Sequence, residues 1–410
     1  MRSTKHRWPA LAFLVVAALT SIGAGAPAPP EKAIQASHEI PEDQLVDVAI
    51  EVFDAGVPDP TTVSPKKMEG VYPEVRKSEA RYVPMQLKET LQSTGFWGAV
   101  RVVPEGTSSA EVMVSGVIAK STGRDLVVEV QVVDISGRQW LEKKYKQRAN
   151  PFVYIDEKQG HLDPFQGLYA QIANDLLDKL QRLRPEQVQD LRRISELRFA
   201  SQLAPADYAH YLETNKRGRL EIQRLPAADD PMMARVEQIR ERDFMFVDTL
   251  NEYYSEFCVS MEEPYDNWRS FSYEEQVALA ELRRQARMRK ILGALAILGA
   301  VAASPGGGIE SVARDAAMIG GIAAIQSGIA KGKEAKIHAE ALRELAASFE
   351  LEVAPMVVEI EGETVRLTGS REEQYASWRE LLRQIYASET GLPEDPNTAA
   401  ELPAEKTAVH

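Results

Sequence analysis

The stretch SPGGGIESVARD (304–315) sets glycines ahead of a helix, an arrangement in which backbone N–H groups can cradle a phosphate. It lacks the Lys-Ser/Thr ending of a P-loop, and Glu310 would repel an anion at the helix start, so it reads as a hairpin turn. No G-x-S-x-G, H-E-x-x-H or G-x-G-x-x-G pattern occurs. His38, His161, His210 and His338 are scattered singly and read as surface or satisfied side chains. Asp229-Asp230 and Glu262-Glu263 are acids beside prolines, where solvated charge is the default. Cys258 is the lone cysteine, which excludes an intramolecular disulfide and a cysteine-based metal cluster. These patterns carry no catalytic residue, no cofactor and no metal ligand, and the chain is not expected to be an enzyme. A net charge of −13 argues against a general nucleic-acid binder, which needs basic surface to displace counterions.

Two other clusters bear on recognition. Tyr253, Tyr254, Phe257, Tyr265, Trp268 and Phe271 are denser in aromatics than any other stretch. They suit core packing first and a partner surface second. Gly320, Ala324, Gly328 and Gly332 recur every fourth residue of a helical pattern and form one continuous stripe. Each interior glycine weakens a helix by about 1 kcal/mol, a loss that close approach of a second helix can offset. Ala296, Gly299, Ala300 and Ala303 supply matching small surfaces on the preceding segment. The loop between folds the two into an antiparallel Gly/Ala-rich hairpin over 291–349. ILGALAILGAVAA (291–303) has no polar side chain, yet it makes only about 20 Å of helix against about 30 Å of bilayer core. Two placements therefore stand: contact buried in protein or an oligomer, and insertion of 291–330 into a membrane. The composition resembles glycine-zipper segments of bacterial envelope proteins.

These features need elements to position them. LVDVAIEVF (45–53) alternates as a half-buried strand. The proline-rich 54–73 reads as loop, and PMQLKETLQSTG (84–95) as a helix with Pro84 in its first turn and Gly95 as its stop. Strands follow at 99–103, 111–119, 125–134 and 138–145, and an amphipathic helix at 164–183. This is an α+β fold, a β-α-β-β-β-β-α sandwich. Residues 184–290 read as a helical region broken at Pro226, Pro231 and Pro264. Residues 350–388 read as a small carboxy-terminal ββα unit, and 389–410 as a disordered tail.

Within 45–183, Thr94-Gly95-Phe96, Val114-Ser115-Gly116 and Asp134 to Arg138 follow the pattern of TolB and related envelope assembly proteins, and the segment resembles their amino-terminal α/β domain. The resemblance implies that fold and a docking role, and transfers no functional residue; the propeller repeats that follow in TolB are missing.

The first 24 residues have a basic start (Arg2, Lys5, Arg7), a short apolar core and small residues, which is the plan of a secretory signal peptide. Residues 25–44 read as a flexible lead. The expectation is an exported, periplasmic, non-enzymatic envelope protein with an unidentified protein partner. It self-associates or touches a membrane through the hairpin. The alternative is a membrane-inserting protein whose hairpin oligomerises into an anchor or pore.

Overall fold

The computed structural model describes residues 32–59, 61–63, 71–104, 110–154, 163–302, 344, 356–360 and 363–390. Gly320, Ala324, Gly328, Gly332 and Ala303 lie outside them, as do residues 1–31, where a leader is expected, and 391–410. The architecture is α+β. A five-stranded mixed sheet runs in the order β2-β1-β3-β4-β5, where β1 is Val48–Glu51, β2 Val100–Val103, β3 Val112–Ser121, β4 Asp125–Asp134 and β5 Gln139–Arg148. β1 lies one strand in from the edge and pairs in parallel with β2 and β3, whereas β3, β4 and β5 are antiparallel neighbours. Alternate residues Val112, Val114, Ile118, Val128, Val130 and Val132 fill one face and are buried. Helix α1 (Pro73–Thr94) packs on β1, β2 and β3, and α2 (Gln166–Leu180) on β5 and on α1. β1 is not half-buried as its alternation suggests: Ala49, on the opposite side from Val48 and Ile50, is buried too. Phe244 and Val247 of a long helix lie over it.

Helix α1 begins at Pro73, eleven residues before the expected start, and Pro84 sits inside it. Proline has no N–H to give the carbonyl four residues back. That carbonyl, on Ala80, instead accepts the N–H of Phe53 at 2.9 Å, so the proline opens a point where the chain leaving β1 is tied to α1. Gly95 ends the helix in the left-handed conformation, φ 73°.

After α3 (Pro185–Leu203) comes a β6–β7 hairpin, Leu212–Thr214 with Leu220–Ile222, inside the segment expected to be helical. Helix α4 then runs unbroken from Pro231 to Ala302, 72 residues or about 108 Å. Pro264 does not break it. The carbonyl it leaves unbonded belongs to exposed Ser260 and can meet water, while Met261, Tyr265 and Trp268 bury the adjoining face. α4 packs against β2, α1 and α3. A β8–β9 hairpin (Met356–Ile360, Glu363–Leu367) and α5 (Arg371–Thr390) follow, and Tyr375, Trp378, Leu382 and Ile385 of α5 are buried against α4 and α3. Ala296, Gly299 and Ala300 fall in the last turns of α4. Among the described residues, no helix is long and apolar enough to cross a membrane.

Residues 32–36, within the 25–44 lead expected to be flexible, run along the body. Asn174 donates through Nδ2 to the Lys32 carbonyl at 3.0 Å and accepts the Ile34 N–H through Oδ1 at 2.9 Å. The Ala36 N–H donates to the Thr94 carbonyl at 2.8 Å.

Candidate functional site: an open sheet face above a helix clamp

The aromatic group is where the sheet domain meets α4. Tyr254, Phe257, Tyr265 and Trp268 are at most 2% exposed, so these four do not form a partner surface. Their spacing along α4 turns them all toward the body. Tyr265 stacks on Trp268 and meets Tyr82 of α1 edge-on at 4.9 Å, and Trp268 meets Tyr72 edge-on at 5.9 Å. Tyr253 and Phe271 are half-buried, the former under the Arg371 guanidinium at 3.9 Å.

Polar residues interleave with these aromatics. Glu79 of α1 is fully buried; its Oε1 accepts the Ser121 and Tyr265 hydroxyls, the latter at 2.8 Å, and its Oε2 has no hydrogen-bond partner among the described residues. Burial pushes this carboxyl above the usual range, against the pull of Arg76 and of the two hydroxyls. Arg269 of α4 reaches Asp163 at 2.7 Å and also pairs with Asp266; the Tyr82 hydroxyl donates to the same Asp163 oxygen at 2.9 Å. At the other end of α4, Glu111 accepts the Asp47 N–H at 2.7 Å and lies 3.6 Å from Arg240, which also donates to Ser195 at 2.9 Å. Between the two, Asn251 closes the edge of the sheet. Its Oδ1 accepts the Val102 N–H and its Nδ2 donates to the Val102 carbonyl, both at 2.8 Å, as a neighbouring strand would. These groups are spent on holding α4 to the sheet.

The β3–β4 turn allows that contact. A Cβ on Gly123 would fall deep inside contact distance of the Arg269 carbonyl oxygen and 2.6 Å from the Tyr273 nitrogen. The Gly123 N–H donates to Ser272 Oγ at 3.1 Å, and its carbonyl accepts the Tyr154 hydroxyl at 2.7 Å. The residues that carry the sequence resemblance have similar work. Gly116 leaves room for the Phe53 ring, 2.7 Å from where its Cβ would be. Asp134 organises the β4–β5 turn, its Oδ1 accepting the Ser136 and Arg138 N–H groups at 3.0 Å and its Oδ2 the Trp140 indole N–H at 2.9 Å. Gly137 turns the chain with φ 84°.

What the helices leave uncovered is the far half of the outer sheet face. There β3, β4, β5 and the chain leaving β1 form a concavity of about 880 Å³. Glu51, Asp54, Ser115, Glu129, Gln131 and Lys144 are among its lining residues. Its two lysines are engaged: Lys143 with Asp175 at 2.5 Å, and Lys144 with Glu129 at 2.6 Å. With Glu142 also in the wall, the hollow carries more carboxylate than cation. Val117 is 37% exposed on its floor. The outward Glu129 and Gln131 are visible in the sequence as polar positions of an alternating strand; that this half of the face stays open depends on the path of α4.

The remaining candidates stand apart. Asp230 caps α4, its Oδ1 accepting the Met232 N–H at 2.9 Å. His38, Glu262 and Glu263 are exposed, and exposed His210 lies against Tyr211 with ring centroids 4.2 Å apart. His161, His338 and the 304–308 loop lie outside the described residues. Among the described residues no group of three or more His, Cys, Asp or Glu is placed to hold a metal ion. No protein-family model matches the chain, and no curated protein matches it.

Proposed function

We propose that this chain is an exported, non-enzymatic protein of the bacterial cell envelope that docks a protein partner on the open half of its sheet. The observation that carries the reading is the acidic hollow over β3, β4 and β5, on a sheet to which α4 is clamped. A partner segment that brings lysine or arginine to Glu51, Asp54, Glu129 and Glu142 matches its charge. The reading includes the β-α-β-β-β-β-α arrangement of a TolB-like amino-terminal domain, in which the matching positions are turns and close packing. It also includes a leader at 1–24, periplasmic placement and a glycine-rich hairpin at 291–349 that self-associates or touches a membrane.

A second reading rests on the apolar run from 291, which α4 enters without a break. On it, the hairpin inserts into a membrane and oligomerises as an anchor or pore. Fractionation of cells expressing the full chain separates the two. Export followed by release in carbonate supports the docking protein. Release by detergent alone supports the inserted hairpin, and retention of the full-length chain in the cytoplasm contradicts both.

A further inference from the structure

We infer that the distal part of α4 seats this protein on an anionic lipid surface: the basic stretch 283–290 lies at the headgroup level, and residues 291–302 enter the acyl layer without crossing it. The inference rests on the envelope reading above and adds the surface on which the docking body is held. Ser272 is the last residue of α4 described as buried, and the helix continues from there for thirty residues. Charge along this extension changes sign. Glu274, Glu275 and Glu281 come first; from 283 to 290 every charged residue is a cation, in a chain whose net charge is −13. Arg284 is exposed.

Directly after Lys290 the same helix carries twelve residues drawn only from Ile, Leu, Val, Ala and Gly. Twelve residues give about 18 Å of helix, short of the roughly 30 Å acyl core. That length suits entry from one side and not a span, in keeping with the lack of a crossing helix among the described residues. Cations placed immediately before an apolar segment suit phosphate at the headgroup level. From Ser272 to Lys290 the helix rises about 27 Å, which sets the sheet domain off the bilayer with its acidic hollow accessible to a soluble partner.

Flotation of the purified full chain with vesicles tests this. It should rise with vesicles of phosphatidylcholine and phosphatidylglycerol and stay behind with phosphatidylcholine alone, with binding weakened by salt. At about fivefold per cation, Arg284→Gln, Arg287→Gln and Lys290→Gln together should weaken binding on the order of a hundredfold, with the thermal midpoint unchanged. Equal flotation with both vesicle types, or none with either, overturns the inference. So does a solution oligomer that the triple variant dissociates while vesicles stay unbound, which would give the segment to a protein partner. Failure here leaves the docking reading intact, because cross-linking from the sheet face is read on protein alone.

Discussion

Replacing Gly123 with alanine probes the contact on which the whole arrangement depends. The added methyl meets backbone on both sides, the Arg269 carbonyl and the Tyr273 nitrogen, so no side chain can swing away to admit it. The backbone at Gly123 lies outside the left-handed region, which makes the cost steric and not conformational. Overpacking of this kind costs about 1–3 kcal/mol. Moving the turn off α4 also sacrifices the bonds to Ser272 and Tyr154, about 1 kcal/mol each, for a total of about 3–5 kcal/mol. Urea unfolding followed by tryptophan fluorescence reads this directly, since Trp268 lies one turn before Ser272 and is 1% exposed. Gly218→Ala is the matched control. Gly218 has φ 74° with nothing within 4 Å of an added Cβ, so only backbone strain of about 1–2 kcal/mol applies. If Gly123→Ala unfolds within about 0.5 kcal/mol of the parent chain, the turn does not pack on α4 and the reasoning fails.

Asn251→Ala should cost about 2–4 kcal/mol by leaving the Val102 N–H and carbonyl unbonded, and should speed amide exchange at Val102; unchanged exchange there would mean that α4 does not close the β2 edge. Glu79 has a raised folded pKa, so the folded protein holds its proton to higher pH than the unfolded chain does. Its stabilising share is present below the ordinary carboxylate range and is lost as pH rises through the folded value. Glu79→Gln should therefore gain stability relative to the parent chain as pH rises above the ordinary carboxylate range; a difference independent of pH would mean that burial does not raise this carboxyl. Burial pushes the Cys258 thiol up to about 12, so an aromatic disulfide reagent at about pH 8 should find no thiol in the folded protein and one in denaturant.

Local order was readable from residue types. The alternation of Val128, Val130 and Val132 against Glu129 and Gln131 marks β4 and its faces, and Gly95 marks the end of α1. The prolines misled, because what they do depends on distant partners. Pro84 is tolerated since Phe53 uses the carbonyl it frees, and Pro264 since aromatic burial flanks it and the freed carbonyl faces water. The site itself depends on contacts between residues about 150 positions apart, such as Asn251 with Val102 and Ser272 with Gly123. Local periodicity holds no record of those pairings, although a polar Asn251 among buried Val247, Leu250 and Tyr254 was a visible irregularity in the apolar stripe.

Site-specific photo-cross-linking in cells tests the docking claim most directly. A photoreactive residue at Val117 or Gln131, in the hollow, is compared with one at Val259, which is 69% exposed on α4. The account predicts a discrete adduct with one envelope protein from the two hollow positions only, weakened when Glu129 and Glu142 are both changed to lysine. No adduct from the hollow, or the same adduct from Val259, would contradict it.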